Sequence, residues 1–126
     1  MTKMDNIPVE QEDEFNEAVK EAQEDASDAL YVYTLKKPLQ YDGRTITELS
    51  FDFEKLTGKD SLAVEEELQA KGIMVMVPTF NSGYLIRIAA RACTEQIGSD
   101  ALEMLGISDF NRLRNKVRNF LLTSEQ

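Results

Sequence analysis

The sequence contains no histidine, no tryptophan and one cysteine among its 126 residues. Without histidine there is no imidazole to serve as general base, catalytic-triad member or metal ligand. Cys93 has no second cysteine with which to form an intramolecular disulfide, and its apolar neighbours predict a buried thiol. Arg87 and Arg91 would activate that thiol only if they shared its face. The length of 126 residues fits a single domain, and these absences predict that it has little catalytic machinery.

Long apolar runs are also lacking. No unbroken run exceeds five residues, as at residues 73–77, whereas a helix that spans a bilayer needs about 20. The first residues lead into acidic positions and contain no apolar signal core. We therefore expect a cytoplasmic protein that has no membrane partner.

The net charge of −9 is concentrated at one end of the chain. Residues 1–30 hold ten acidic and two basic residues and so contribute −8 of that total. Low hydrophobicity and self-repulsion predict a disordered or partly helical acidic arm over residues 1–29. The nearly neutral remainder is expected to form one α+β domain over residues 30–122, followed by a C-terminal tail over residues 123–126.

A β-hairpin is the clearest local pattern. Residues 31–36 are rich in aromatic and β-branched side chains, which favour strands. Asp42-Gly43 supplies a tight turn, and residues 44–51 form the return strand. Two apolar positions of the return strand are three residues apart, so the alternation breaks and predicts a bulge near residues 47–48.

A first helix follows the hairpin. Asp60 or Ser61 is expected to cap this helix, which ends at Lys71-Gly72. The apolar residues 73–77 then form either a short strand or a buried connection, which Pro78 ends.

Three more helical patterns complete the chain. Asn81 or Ser82 opens a helix with apolar residues at helical spacing up to Ala92. Ser99 opens a short helix, and Ser108 caps the last one. The order of elements predicts an α+β fold, with an N-terminal β-hairpin followed by a bundle of three to four helices and preceded by the flexible acidic arm.

No constellation of catalytic or ligand-binding residues emerges. Glu65-Glu66-Glu67 are consecutive, so on a helix their carboxylates point about 100° apart and form a solvated face. Asp52 and Glu54 would share a strand face, but no third acid accompanies them at ligand spacing. Residues 57–60 lack the preceding glycine of a phosphate-binding loop. We therefore assign no catalytic, cofactor-binding or metal-binding residue and expect a protein that is not an enzyme.

One group of basic residues lies on the last helix: Arg112, Arg114, Lys116 and Arg118. Positions two apart spread around a helix, so the four side chains do not form one stripe. The negative net charge also argues against a nucleic-acid partner. Two roles stay open for these residues, a charged outer face near a helix C-terminus and pairing with the acidic arm.

Several short motifs follow one another in a telling order. They are Leu35, Pro38, Gly43, Ile46 and Leu49 of the hairpin, Phe51-Asp52-Phe53 and Leu56-Thr57-Gly58, the alanine-rich helix 84–93, and Leu102, Leu105, Asp109, Leu113, Val117 and Phe120-Leu121. This order resembles, over residues 34–122, the tail assembly chaperones of long-tailed phages, in particular the Mu-like contractile-tail type. The acidic arm and a longer middle around Pro78 depart from the family pattern.

The resemblance implies a chaperone that needs no cofactor and performs no catalysis. It implies binding and solubilising of the long, helix-rich tape measure protein and recruitment of the tail tube protein, in the cytoplasm of the bacterial host and not in the mature virion. Surfaces that bear Met74, Met76 and Met104 are candidates for contact with apolar helices, although such residues more often pack in cores.

Two points stay open. A homo-oligomer is compatible with this interpretation of the sequence. The alternative function is a structural virion component, such as a tail tube or head–tail connector subunit, which would persist in the finished particle.

Overall fold

The computed structural model describes residues 30–124, so the predicted acidic arm lies outside the described residues. Its regular elements, in chain order, are strands β1 (Leu30–Tyr41) and β2 (Arg44–Asp52) and helices α1 (Gly58–Ala70), α2 (Ser82–Ala92), α3 (Ser99–Leu102) and α4 (Ile107–Ser124). Two 3-10 turns, Phe53–Lys55 and Pro78–Phe80, precede α1 and α2. A hairpin followed by helices confirms the predicted α+β class.

The hairpin turns where its sequence predicts. Asp42 and Gly43 have φ angles of 52° and 75°, and two consecutive positive φ angles are what a two-residue hairpin turn of the favoured twist requires. Asp and Gly tolerate this left-handed region better than other residues do. β1 and β2 pair antiparallel, and together they form a two-stranded sheet.

The hairpin contains a bulge at the predicted level, but the extra residues lie in the other strand. Thr34 faces Glu48 and Leu39 faces Ile46, so four residues of β1 lie opposite Thr47 alone. The broken alternation in β2 therefore marks the position correctly, while β1 carries the insertion. Such a bulge frees backbone N–H groups that need acceptors elsewhere.

A buried carboxylate supplies those acceptors. Asp109, in the first turn of α4, is only 1% exposed. Its Oδ1 accepts a hydrogen bond from the Tyr33 hydroxyl at 2.7 Å and from the Lys36 N–H at 3.0 Å, and its Oδ2 accepts from the Lys37 N–H at 3.1 Å. Asp109 thus joins the hairpin bulge to α4, the last helix.

The electrostatics agree with an ionised Asp109. Burial works to raise its pKa, but the hydrogen bonds from Lys36, Tyr33 and Lys37 outweigh burial and leave the pKa lowered. The same hydrogen bond has the opposite effect on the pKa of its donor, Tyr33. Burial, the hydrogen bond to Asp109 and the negative charge of Asp109 raise the pKa of Tyr33 to about 12.

Aromatic rings extend the contact between the hairpin and α4. The rings of Phe51 and Phe53 stack with centroids 6.0 Å apart, and Phe53 stacks on Phe120 of α4 at 5.2 Å. Leu113 and Val117 of α4 are buried in the same core. Offset stacks of this kind add about 0.5–1.5 kcal/mol each beyond burial.

α2 is the central helix of the core. Six of its eleven residues are buried: Tyr84, Leu85, Ile86, Ile88, Ala89 and Ala92. Asn81 caps it, because the Asn81 Oδ1 accepts a hydrogen bond from the Tyr84 N–H at 2.8 Å. α1, α3 and α4 all contact this helix, and its alanines allow close approach. The predicted opening of this helix is confirmed.

Two predicted helix starts are shifted. α1 begins at Gly58 with Thr57 as its cap, so the prediction of Asp60 or Ser61 as the cap is wrong. Asp60 instead accepts a hydrogen bond from the Thr57 N–H at 2.8 Å, because its place in the first turn lets its side chain reach back. α4 begins at Ile107, one residue before its predicted cap.

Candidate partner-binding surface

The end of α1 directs the chain out of the helical bundle. Gly72 has φ +78°, its N–H donates to the Gln69 carbonyl at 2.9 Å, and the Ile73 N–H donates to the Leu68 carbonyl at 2.9 Å. This pair of bonds is the glycine-dependent helix termination known as a Schellman motif. The prediction that α1 ends at Lys71-Gly72 is confirmed.

The segment that follows, residues 73–80, is here named the apolar loop. Val75 packs against the core, and Thr79 is buried in the 3-10 turn that Pro78 begins. These two residues anchor the loop at its middle and near its end. The prediction of a strand or a buried connection at residues 73–77 is wrong on both counts, because the segment is neither paired with a strand nor largely buried.

The remaining side chains of the apolar loop point to solvent. Met74, Met76 and Phe80 are 79%, 80% and 72% exposed, and Ile73 and Val77 are also exposed. No charged residue occurs between Lys71 and Arg87. Single exposed apolar residues are common, but a continuous uncharged group of them is characteristic of an interaction surface.

All three methionines singled out from the sequence are exposed. Met104 is 66% exposed in the turn after α3, and Ile107 at the start of α4 is exposed close to it in the chain. None of the three packs in the core, so core packing, the commoner of the two uses considered for them, does not apply here. The long, flexible thioether side chain of methionine adapts to apolar partners of different shape.

An open groove separates the apolar loop from the C-terminal half of α1. It has a volume of about 350 Å³ and is lined by Glu65, Gln69, Gly72, Ile73, Met74 and Val75. Its lining combines an apolar side, contributed by the loop, with a polar side, contributed by α1. The groove is therefore suited to an amphipathic occupant.

The cysteine environment does not support nucleophilic chemistry. Cys93 is buried, and burial raises the pKa of its thiol to about 11. Its Sγ donates a hydrogen bond to the Glu95 Oε1 at 3.3 Å. Arg87 and Arg91, the two cations considered as activators, pair with α1 instead. The Arg87 Nε lies 3.5 Å from the Glu67 Oε1.

The ion pairs between α1 and α2 involve two acidic residues of α1. The Arg91 Nε donates to the Asp60 Oδ1 at 2.7 Å, and the Arg91 Nη1 lies 3.7 Å from the Glu67 Oε2. The Arg91 hydrogen bond is the largest cause of the lowered pKa of Asp60. Glu65 lines the groove and Glu67 lies on the α2 side, so the carboxylates of the Glu65-Glu66-Glu67 run do not converge on one site, as predicted.

Asp52 ends β2 and Glu54 lies in the following 3-10 turn, so the structure does not place them on one strand face. Within residues 30–124, no three acidic or cysteine side chains form a group that holds a metal ion. Over the same described residues, no helix is both long and apolar enough to cross a bilayer.

The basic residues of α4 separate into different environments. Lys116 is buried, and its Nζ lies 4.3 Å from the centroid of the Tyr31 ring. Arg112 is exposed, whereas Arg114 and Arg118 are half-buried. The four side chains form no single stripe, as predicted. The cation–π contact of Lys116 was missed, because only the fold brings Tyr31 to this helix.

Comparison with protein families gives one match. The family described as "Phage tail assembly chaperone proteins, E, or 41 or 14" matches residues 32–122, which extend from β1 into the last turn of α4 and include both Asp109 and the apolar loop. No curated protein and no solved structure shows significant similarity to the chain. The family match covers well over half of the sequence and agrees with the order of motifs, so this chain belongs to the phage tail assembly chaperone family.

Proposed function

We propose that this tail assembly chaperone binds and solubilises the tape measure protein and assists assembly of the tail tube, without catalysing a reaction. The family match supports a role in tail assembly with phage tail proteins as partners. The exposed apolar loop is the observation that supports binding of an apolar client. It provides the client with a surface that is preformed and uncharged.

The size of this surface suits reversible binding. Burying the exposed parts of Met74, Met76 and Phe80 contributes on the order of 5 kcal/mol, at about 1.5–3 kcal/mol per fully buried side chain. Association and side-chain ordering consume part of that gain. A chaperone that holds its client through one such loop can be displaced when tail tube subunits cover the client. Such displacement agrees with a chaperone that acts in the host cytoplasm and is absent from the mature virion.

Co-expression with the tape measure protein tests the proposal. We expect the chaperone to raise the soluble fraction of the tape measure protein and to co-purify with it. The double substitution Met74→Ser, Met76→Ser should lower both readouts, because it removes apolar contact area from an exposed loop without changing the core. Leu62→Ser is the matched control, since Leu62 is exposed on α1 outside the loop. No gain in solubility with the wild-type chain would overturn the proposal.

Mass spectrometry of purified particles separates this function from that of a structural virion component. A chaperone is expected to be absent from mature particles. If the chain were present there in amounts comparable with the tail tube protein, the alternative of a tail tube or head–tail connector subunit would replace the proposal.

A further inference from the structure

The groove between α1 and the apolar loop has room for a limited number of side chains. Its volume of about 350 Å³ is roughly twice the ~150 Å³ cavity that takes up a benzene ring. That is space for about two large apolar side chains, such as a pair three or four positions apart on one helix. It does not take up a whole helix, which must lie across the opening.

The charges beside the groove restrict the occupant further. Glu65 lines the polar wall, and Glu66 beside it is also exposed. The ion pairs from α1 to α2 use Asp60 and Glu67, whereas the exposed Glu65 lines the groove. A basic residue on the occupant complements this wall, whereas the acidic residues 1–30 of this chain would place like charges against it.

We propose that this groove binds one amphipathic helix of the client, with two apolar side chains against Ile73, Met74 and Val75 and a flanking lysine or arginine paired with Glu65. This inference rests on the proposed function and names the chemistry of the bound segment. Glu65 is thereby a specificity-determining residue, because it selects among apolar helices by the charge at the edge of their stripe.

Synthetic peptides of roughly 18 residues provide the probe, because much shorter helices are marginal in water. One peptide carries a leucine stripe flanked by lysines, and the second differs only in having glutamates at the flanking positions. Binding of each to the full chain is measured by fluorescence anisotropy. We expect about a two- to fivefold preference for the lysine peptide, the range that one exposed ion pair provides, and a smaller preference at higher salt.

Two charge-reversal variants separate the effect of the charge at the groove from the effect of the net charge of the chain. Glu65→Lys should abolish or reverse the preference between the peptides. Glu66→Lys makes the same change in net charge at the neighbouring position, which does not line the groove, and should keep most of the preference. Circular dichroism of both variants checks that α1 still folds.

Several outcomes would overturn the inference. They are equal affinity of the wild-type chain for both peptides, no binding of either peptide, or an equal loss of preference in both charge reversals. Sedimentation of the free chain provides a further outcome that would overturn the inference. If the chain formed a dimer and Met74→Asp dissociated it, the occupant of the groove would be a second copy of this chain. The proposed function is judged separately. If the tape measure protein co-purifies while the peptides are not distinguished, the function stands and this inference fails.

Discussion

Substitution of Asp109 tests the contact between the hairpin and α4. In Asp109→Ala, the bulge N–H groups of Lys36 and Lys37 and the Tyr33 hydroxyl lose their shared acceptor. Each buried polar group without a partner costs about 1–3 kcal/mol, so the three together cost about 4 kcal/mol after partial access to water. That is a large fraction of the roughly 5–15 kcal/mol that stabilises a typical domain.

Asp109→Asn refines the same test. The amide keeps one oxygen as acceptor but removes the charge and points an NH₂ group toward N–H donors, so we expect a loss of about 2–3 kcal/mol. Each kcal/mol lowers the melting temperature of a 60–100-residue domain by about 4–8 °C. The expected decrease is therefore about 10 °C or more for the asparagine variant and larger for the alanine variant.

Thermal and urea unfolding of the full chain measure this effect. Asp100→Asn is the matched control, since Asp100 is an exposed carboxylate in the first turn of α3 that also accepts a hydrogen bond from a tyrosine, Tyr41, at 3.3 Å. We expect the control to unfold with the wild type. If Asp109→Ala unfolded at the same temperature as this control, the reasoning about the buried acceptor would be refuted.

Three further predictions follow from the same structure. As the pH falls below about 4, the pKa of Asp in the unfolded state, the free energy of unfolding should decrease because Asp109 becomes protonated, and the decrease should be smaller in Asp109→Asn. The raised pKa of Tyr33 predicts that its contribution to stability is lost between about pH 10 and 12. Tyr33→Phe should reduce that alkaline loss in urea titrations at a series of pH values. Gly72→Ala should lower the melting temperature through strain worth about 1 kcal/mol at φ +78°, whereas Gly58→Ala, at the start of α1, should not; equal effects would contradict the backbone argument. Cys93 should resist a thiol reagent at pH 8 until denaturant is added, and rapid native labelling would contradict its burial.

Local chemistry explains which parts of the fold are predictable from sequence. The Asp42-Gly43 turn and the glycine end of α1 depend on residues a few positions apart, and both lie where expected. The bulge shows the limit. Its level is visible in β2, but the acceptor that stabilises the extra residues of β1 is Asp109, more than 70 positions away. No local pattern shows which strand carries the insertion.

The exposure of the apolar loop could not be predicted from composition, because five apolar residues in a row are as typical of a buried strand as of an exposed loop. A strand needs a free edge, and other parts of the chain already occupy part of each edge of the hairpin. The Thr94 N–H donates to the Ser50 carbonyl at 2.9 Å on the β2 side, and Asp109 binds the N–H groups of the bulge on the β1 side. The candidate surface therefore follows from tertiary contacts that the sequence does not display.

The anchored shape of the apolar loop also bears on aggregation. An exposed run such as residues 73–77 would ordinarily invite cross-β stacking between copies, since extended apolar segments template one another. Here Val75 packs against the core, and Pro78 cannot donate to a β-ladder, so the backbone is kept from lying flat against a neighbour. The loop can thus be adhesive toward a client's side chains while remaining a poor seed for fibrils of its own.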